Sequence, residues 1–292
     1  MMRVASGGRG IAELYTVPTF VPNIDWATIV SQEQCRYRGT KCDKIRKTDS
    51  SITIGTCTVN YGAKSPMEVI ICPHRFLERS QIFIDCLHLL TRHMPGDEIH
   101  RLPEVEVPGG TVDYCLAAVR GGRVVDFVGI ELQAMDTTGS VWPTRQNFLR
   151  SVGVINGPPD SGGYAMNWKM SAKTILMQMH HKAETFENVG RHLVLVIQDH
   201  FFNAMANSFS FGHLSSPAQP GDTVHFHAYR LDRQPNEYRL QLASRHSTDA
   251  AGVATALGHG GSARLDEKEI LDSLQRRMLA LNAAGRPTRI LI

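Results

Sequence analysis

Three strand-like segments joined by glycine-rich turns constrain the fold of this 292-residue chain more than any other feature. The segments are Ile99–Val107, Thr111–Val119 and Val124–Ala134, and the turns between them are Pro108-Gly109-Gly110 and Arg120-Gly121-Gly122-Arg123. Glycine and proline at such junctions favour hairpins, because they adopt the tight backbone conformations that a reversal requires. The sequence therefore predicts an antiparallel meander at the centre of the chain.

Helical and strand-like patterns surround the meander. Apolar residues at helical spacing predict a helix over Arg75–His93 before it and a long helix over about Asn167–Glu187 after it, followed by a buried strand at His192–Gln198. The other predicted elements are an irregular arm over residues 1–30 with a short helix near Asp25–Ser31, a loop-rich stretch over Asp136–Met166, strands at Val224–Leu231 and Tyr238–Ala243, a mobile loop over Ser244–Ala263 and a last helix over about Asp266–Ala283. This order predicts an α/β fold, a mixed sheet flanked by helices.

Composition excludes a membrane-spanning protein. The chain is 42% hydrophobic and 20% charged, and no run of about 18 apolar residues is present that could span a bilayer. Because the N-terminus lacks the apolar core of a secretory signal, we expect a cytoplasmic protein.

Four of the six cysteines are clustered in the N-terminal quarter of the chain. They are Cys35, Cys42, Cys57 and Cys72. In a reducing compartment such a cluster is more consistent with a structural zinc or iron site than with disulfides, although the spacings of 7, 15 and 15 contain no Cys-x-x-Cys pair. Cys86 and Cys115 lie in apolar runs and are interpreted as structural. We therefore predict two units, an arm and metal-binding module over residues 1–72 and a second domain over residues 73–292.

A basic patch accompanies these cysteines. The net charge of the whole chain is only +3, yet six cations between residues 35 and 47 face a single acid, Asp43. They are Arg36, Arg38, Lys41, Lys44, Arg46 and Lys47. Such a patch can bind phosphates, and a solvated basic loop is an equally good interpretation.

The third strand of the meander carries the strongest indication of chemistry. Side chains alternate between the two faces of a strand, so Glu131 and Gln133 share one face of an otherwise apolar segment. The preceding strand carries Asp113, which the hairpin brings opposite the third strand. Asp126 is a competing acid, but its parity is opposite to that of Glu131. Two carboxylates on one face predict a Mg²⁺ site, and Asp113 is preferred to Asp126.

This order of elements is also that of a PD-(D/E)XK nuclease core, in which an acid lies on the second strand and an acid-x-Lys triplet on the third. Here Gln133 stands at the lysine position, and a neutral amide can hold a water molecule but supplies no positive charge. Lys173 and Lys182 on the long helix are candidates for that charge, with Gln178 and Glu78 as further supporting groups. For each of these four, an ordinary solvated position is at least as good an interpretation.

Several motifs resemble the NotI-type restriction endonucleases. They are Cys-Pro-His-Arg-Phe-Leu at 72–77, Gly-Thr-Cys-Thr-Val-Asn at 55–60, Val-Asp-Tyr-Cys-Leu-Ala-Ala-Val at 112–119 and Gly-Ile-Glu-Leu-Gln-Ala-Met-Asp-Thr-Thr-Gly-Ser at 129–140. In that family the triplet is Glu-x-Gln, so the resemblance implies catalytic roles for Asp113, Glu131 and Gln133. It also implies that the four clustered cysteines bind iron or zinc, and that the protein is a homodimer that cleaves double-stranded DNA at a GC-rich palindrome. The loops at 136–166 and 203–222 differ, so DNA sequence specificity is not transferred.

The leading hypothesis is therefore a Mg²⁺-dependent type II restriction endonuclease. Two alternatives stay open: a repair, nicking or defence nuclease without palindromic specificity, and a metal-stabilised DNA-binding protein with a decayed nuclease core. A second metal site at His225 and His227 is disfavoured, because a half-exposed face of a strand explains their spacing.

Overall fold

The N-terminal segment folds into strands, so the prediction of an irregular arm is wrong for the residues described there. The computed structural model describes residues 9–62, 64–258 and 283. The elements in this first part are β1 (Arg9–Leu14), β2 (Val17–Pro18), α1 (Trp26–Gln32), β3 (Gln34–Cys35), β4 (Thr40–Lys41), β5 (Ile45–Arg46), β6 (Asp49–Thr53), β7 (Thr56–Tyr61) and β8 (Met67–Ile70). Strands β2, β1, β7 and β8 form an antiparallel sheet in that order. The short predicted helix is confirmed as α1, and Asp25 caps it by accepting a hydrogen bond from the Thr28 N–H.

The predicted helix over Arg75–His93 is broken into three pieces. A 3₁₀ segment (Pro73–Ser80) is followed by α2 (Gln81–Cys86) and by a second 3₁₀ turn (Leu87–Leu89). Between the first two, Arg79 and Ser80 adopt positive φ angles of 50° and 57°. The break lies beside Glu78, whose carboxylate accepts hydrogen bonds from Arg75 and from the Leu240 N–H. The long-range bond from the Leu240 N–H overrides the local helical pattern.

The meander is confirmed. Its strands are β9 (Glu98–Val107), β10 (Gly110–Arg120) and β11 (Arg123–Gln133), all antiparallel to their neighbours within it. The elements that follow are β12 (Thr137–Gly139), α3 (Trp142–Ser151), β13 (Tyr164–Met166), α4 (Trp168–Asn188), β14 (His192–Gln198), α5 (Asp199–Ser208), β15 (Val224–Arg233), β16 (Tyr238–Thr248) and α6 (Ala250–Ala256). The long helix and the buried strand predicted from the pattern are thus confirmed as α4 and β14.

The main sheet of the described chain is mixed. Its strand order is β16-β15-β14-β11-β10-β9, with β11, β14 and β15 parallel to one another and the other pairings antiparallel. Helix α4 provides the crossover between the parallel strands β11 and β14, as such a connection requires. The predicted mixed α/β fold is therefore confirmed.

Helix α4 lies close against one face of this sheet. Its buried stripe includes Ile175, Met179 and Phe186, which share an apolar core with Leu195 of β14. Gly129 of β11 makes this approach possible, because a Cβ atom at that position would overlap the Phe186 ring. This close packing fixes the distance between α4 and the strand that carries Glu131.

The opposite face of the sheet packs against the broken helical segment. Phe76, Ile82 and Leu89 form a second apolar core there with Ile130 of β11 and Val194 of β14. Alternate residues of β11 thus enter two different cores, and both faces of the strand are covered.

Apolar and polar contacts also join the N-terminal sheet to the main sheet. Ile11 and Val59 belong to the same apolar core as helix α4. The Gln198 side chain accepts a hydrogen bond from the Ile70 N–H and donates one to the Glu68 carbonyl. The division into residues 1–72 and 73–292 remains a prediction.

Two predicted loops contain regular structure. The stretch Asp136–Met166 contains α3 and two short paired strands, and the predicted mobile loop over Ser244–Ala263 instead begins with the end of β16 and then helix α6. Asp249 caps α6 through the Gly252 N–H, and Val253 packs into the core that contains α4. Its Gly and Ala content misled the prediction, because small residues suit a helix in tight contact with another. The last predicted helix lies outside the described residues except for Ala283.

Within the described part of the chain, no helix combines the length and the apolar character needed to cross a membrane.

Candidate active site

Asp113 and Glu131 lie opposite each other on neighbouring strands. Tyr114 pairs with Ile130 in the antiparallel register, and Asp113 and Glu131 are the next residues beyond that pair on each strand. Both carboxylates therefore belong to the face of the sheet that α4 covers. Asp113 Oδ2 also accepts a hydrogen bond of 2.7 Å from the Leu132 N–H, which anchors it to the strand that carries Glu131.

Lys182 of α4 joins the two carboxylates from the helix that covers this face of the sheet. Its Nζ lies 2.5 Å from Glu131 Oε1 and donates to the Thr111 carbonyl oxygen at 2.5 Å. Both charged side chains are buried, Glu131 being 4% and Lys182 5% exposed. Of the four supporting residues considered from the sequence, Lys182 is the one that contacts a candidate carboxylate.

The turn between β9 and β10 holds this part of α4 in position. Gly109, with a φ of +94°, packs against the carbonyl of His181 so closely that any side chain would collide with it. Thr185 Oγ1 donates to the Pro108 carbonyl at 2.9 Å. Lys182 is thus fixed between the turn and the strand below it.

The carboxylates are in an environment that disfavours their negative charge. Burial raises the pKa of Glu131 to about 7; the Lys182 hydrogen bond opposes this rise, and the charge of Asp113 adds to it. Burial also raises the pKa of Asp113, against the Leu132 N–H and the charge of Lys182. Lys182 offsets one of the two charges, and carboxylate oxygens are the ligands that hard divalent metal ions prefer, so the pair suits such an ion in chemical type.

Gln133 lies at the end of β11 on the same face as Glu131. It is half-buried, and its amide donates to the neighbouring Ala134 carbonyl. Asp126 lies on the other face, as its parity predicts. It forms an ion pair with Arg191 at 3.0 Å and accepts a hydrogen bond from the Arg92 N–H, both away from Glu131.

The remaining supporting residues are not brought to the carboxylates. Lys173 and Gln178 are exposed on α4. Glu78 belongs to a separate buried cluster in which Arg75 bonds to Glu78 and to Glu13. That cluster joins the first sheet to the broken helix and has an evident structural purpose.

Sequence reasoning missed Glu104. The pairs Pro103 with Tyr114 and Val105 with Val112 place Glu104 across β10 from Asp113, and its charge contributes to the raised pKa of Asp113. The same register argument that paired Asp113 with Glu131 could have found it. Glu104 is exposed and has a φ of 52°, an uncommon conformation for a residue other than glycine.

The four clustered cysteines line one small cavity, together with Lys44 and His74. Burial raises the pKa of the Cys35 and Cys57 thiols, and that of Cys72 to about 11. In the described residues, no group of three or more His, Cys, Asp or Glu side chains has an arrangement that could hold a metal ion. The four thiols therefore have the chemical type and the common location expected of a tetrathiolate site. Their positions do not have the geometry of metal ligands.

The cations of the basic patch differ in their surroundings. Arg38 pairs with Asp43, Lys41 with Glu33 at 2.5 Å, Lys44 donates to the Ile71 carbonyl at 2.8 Å, and Arg46 stacks 4.6 Å from the Trp142 ring centre. Arg36 and Lys47 are exposed. The patch is thus partly neutralised by the protein itself.

His225 and His227 are buried, and not half-exposed as predicted. Their residual exposures are 1% and 0%. His225 Nε2 lies 3.1 Å from His192 Nδ1, and His227 Nδ1 lies 3.8 Å from Cys86 Sγ. The prediction was wrong because the broken helical segment covers the face of the sheet that carries these histidines. The position of that segment depends on long-range contacts.

These histidines should make the stability of the protein depend on pH. Burial lowers the pKa of His225 to about 4 and that of His227 to about 2. The unfolded chain, with histidine pKa values near 6.5, binds protons first as the pH falls, so stability present above pH 6.5 is lost from about pH 6.5 down to about pH 4 for His225 and about pH 2 for His227. We expect each histidine to account for about 2 kcal/mol of lost unfolding free energy at pH 5.

Urea unfolding at pH 8 and pH 5 tests this expectation. Between pH 8 and pH 5, the unfolding free energy of His227→Leu should fall by about 2 kcal/mol less than that of the wild type, because its unfolded state takes up one proton fewer. The exposed His93→Leu is the matched control and should retain the wild-type dependence. An unchanged pH dependence in His227→Leu would contradict the assignment.

Comparison with protein-family models gives a match to the family described as "Restriction endonuclease NotI", over residues 30–240. The matched segment is more than half of the chain and contains the four clustered cysteines, both candidate carboxylates and Lys182. No curated protein sequence matches the chain.

Proposed function

Because this chain belongs to the NotI restriction endonuclease family, and is thus a site-specific deoxyribonuclease that acts on double-stranded DNA, we propose that its active site is Mg²⁺-dependent and is formed by Asp113, Glu131 and Gln133. The observation that carries the proposal is the adjacency of a buried carboxylate, Glu131, and a half-buried one, Asp113, on one face of β10 and β11, each with a raised pKa. Lys182 offsets only one of the two charges, and bound Mg²⁺ would offset the other and stabilise negative charge on the scissile phosphate.

Each residue has a distinct role in this proposal. Asp113 and Glu131 would hold Mg²⁺, which when bound would acidify a water molecule and offset negative charge on the scissile phosphate. The Gln133 amide, at the end of the same strand face, would orient the attacking water by a hydrogen bond. It would have to release the Ala134 carbonyl to do so.

We further propose that the mixed sheet and its helices are a PD-(D/E)XK core over residues 73–292, preceded by a module over residues 1–72 that binds iron or zinc through Cys35, Cys42, Cys57 and Cys72. The shared cavity of the four thiols supports the metal site. Thiolate ligands suit both ions, and a site with four protein ligands is a structural one.

The basic patch is proposed to contact DNA phosphates beside the active site. Met135, two residues beyond Gln133, donates to the Ile70 carbonyl at 2.9 Å, and Lys44 donates to the adjacent Ile71 carbonyl. The cysteine module therefore adjoins the end of β11. A cationic surface at that place would bind the backbone on either side of the scissile bond.

A homodimer acting on a GC-rich palindrome is the proposed assembly. One active site per protomer would cut one strand each, and a two-fold symmetric protein matches a two-fold symmetric DNA site. The resemblance to the family supports this arrangement, and the experiment below reports on the palindrome.

Digestion of a set of plasmids and genomes, followed by sequencing of the fragment ends, tests the proposed function. We expect discrete fragments with a common palindromic end sequence in Mg²⁺, and none in EDTA. A preparation of Asp113→Asn, purified identically, controls for contaminating nucleases. Ladders or random ends would favour a nuclease without palindromic specificity, and binding without cleavage in Mg²⁺ or Mn²⁺ would contradict the proposal.

A further inference from the structure

We propose that Lys182, supplied by helix α4, is the positioning cation of this active site and compensates for the absence of a strand lysine at Gln133. The inference rests on the proposed function. It starts from the contact between Lys182 Nζ and Glu131 Oε1, 2.5 Å apart on the covered face of the sheet.

The hydrogen bonding of Lys182 leaves one donor for a substrate. An ammonium group carries three N–H bonds. Among the residues that the structure describes, two acceptors receive them, Glu131 Oε1 and the Thr111 carbonyl oxygen. The third N–H has no protein acceptor in that part of the chain and is available to a phosphate oxygen or to a water molecule beside Glu131.

The charges of the site require such a cation. Gln133 is neutral, and Asp113 and Glu131 together carry two formal negative charges close to the position of an anionic phosphate. The positive charge of Lys182 offsets one of these two negative charges. In a partly buried site this matters, because water screens the interaction between two charges less strongly there than at the surface.

Stability alone is a poor explanation of this ion pair. Burying both charges costs desolvation energy that their attraction scarcely offsets, so an apolar pair would stabilise the fold as well. Close packing nevertheless fixes the position of Lys182. Gly129 leaves room for the Phe186 ring, one helical turn from Lys182, and Gly109 packs against the His181 carbonyl. This positioning suits a group that must meet a reacting centre.

Single-turnover cleavage by Lys182→Met and Lys182→Arg tests the inference. Lys182→Met retains the apolar stem without the charge, and we expect cleavage at saturating DNA to slow by at least about 100-fold. Its DNA affinity, measured in Ca²⁺, should stay within about threefold of wild type. Lys182→Arg, which keeps a charge in altered geometry, should recover part of the rate. The matched control is Lys173→Met, an exposed lysine on the same helix, which should cleave normally.

The outcomes separate this inference from the proposed function. If wild type does not cleave DNA, the proposed function fails. If wild type cleaves and a folded Lys182→Met cleaves within about threefold of it, the role of Lys182 is overturned. Should Lys182→Met lose its fold, as judged by circular dichroism, then Lys182→Gln, which keeps hydrogen-bond donors without the charge, decides: a folded variant with a reduced rate and unchanged affinity supports the role, and a wild-type rate overturns it.

Discussion

Glu131→Gln is expected to reduce DNA cleavage by about 10³-fold or more while leaving DNA binding in Ca²⁺ nearly unchanged. The substitution preserves the shape of the side chain and removes one of the two carboxylates proposed to hold Mg²⁺. It also leaves the Lys182 ammonium facing a neutral amide at a buried position. Burial raises the pKa of Glu131 to about 7 in spite of this ion pair, so the folded state favours a neutral group here, and we expect no loss of unfolding free energy at pH 8.

Single-turnover rates and urea unfolding of the same preparations distinguish a loss of catalysis from a loss of structure. Glu106→Gln, at an exposed position of the neighbouring edge strand β9, is the matched control and should behave as wild type in both measurements. A variant that unfolds like the wild type and still cleaves a thousandfold more slowly has lost catalysis and not structure. Cleavage by Glu131→Gln within tenfold of the wild-type rate would show that the catalytic carboxylate lies elsewhere.

Cys57→Ser is expected to remove a structural metal and with it the integrity of the N-terminal module. We expect the wild-type protein to contain about one iron or zinc ion per chain, since four thiols, three of them buried, line a single cavity. Structural metal sites of this kind contribute on the order of 10 kcal/mol to folding in small domains, so replacing one ligand should weaken binding and lower the unfolding temperature markedly.

Elemental analysis and thermal unfolding measure the two consequences. Cys86→Ser is the control, because Cys86 is equally buried and lies beside His227 on the opposite face of the sheet, outside the cysteine cavity. It should retain the full metal content. A wild-type protein that is free of metal after purification without chelators, yet fully folded and active, would contradict the site.

Much of the main sheet is predictable from local pattern alone. The meander, α4 and β14 have strong periodicity and clear turn signals, and the structure contains them within a few residues of the predicted bounds. The first sheet was missed because β1 pairs with β7, some 45 residues later in the chain, as the pair Glu13 with Thr58 illustrates. Short strands with distant partners carry little local signal.

The candidate site likewise has a part that the sequence predicts and a part that it does not. Alternation along a strand and the register of a hairpin suffice to bring Asp113 opposite Glu131, because both are local properties of the backbone. The sequence could not choose among Lys173, Gln178, Lys182 and Glu78, since the choice depends on how α4 is rotated and how closely it lies on the sheet.

The sequence by itself determined the elements that carry the carboxylates, their common face and, through its motifs, the family of the protein. Only the tertiary structure decided that Lys182 reaches Glu131, that Glu78 belongs to the Arg75 cluster and that His225 and His227 are buried. The physical reason is range: strand alternation and turns follow from neighbouring residues, whereas burial and ion pairing depend on which distant surfaces pack together.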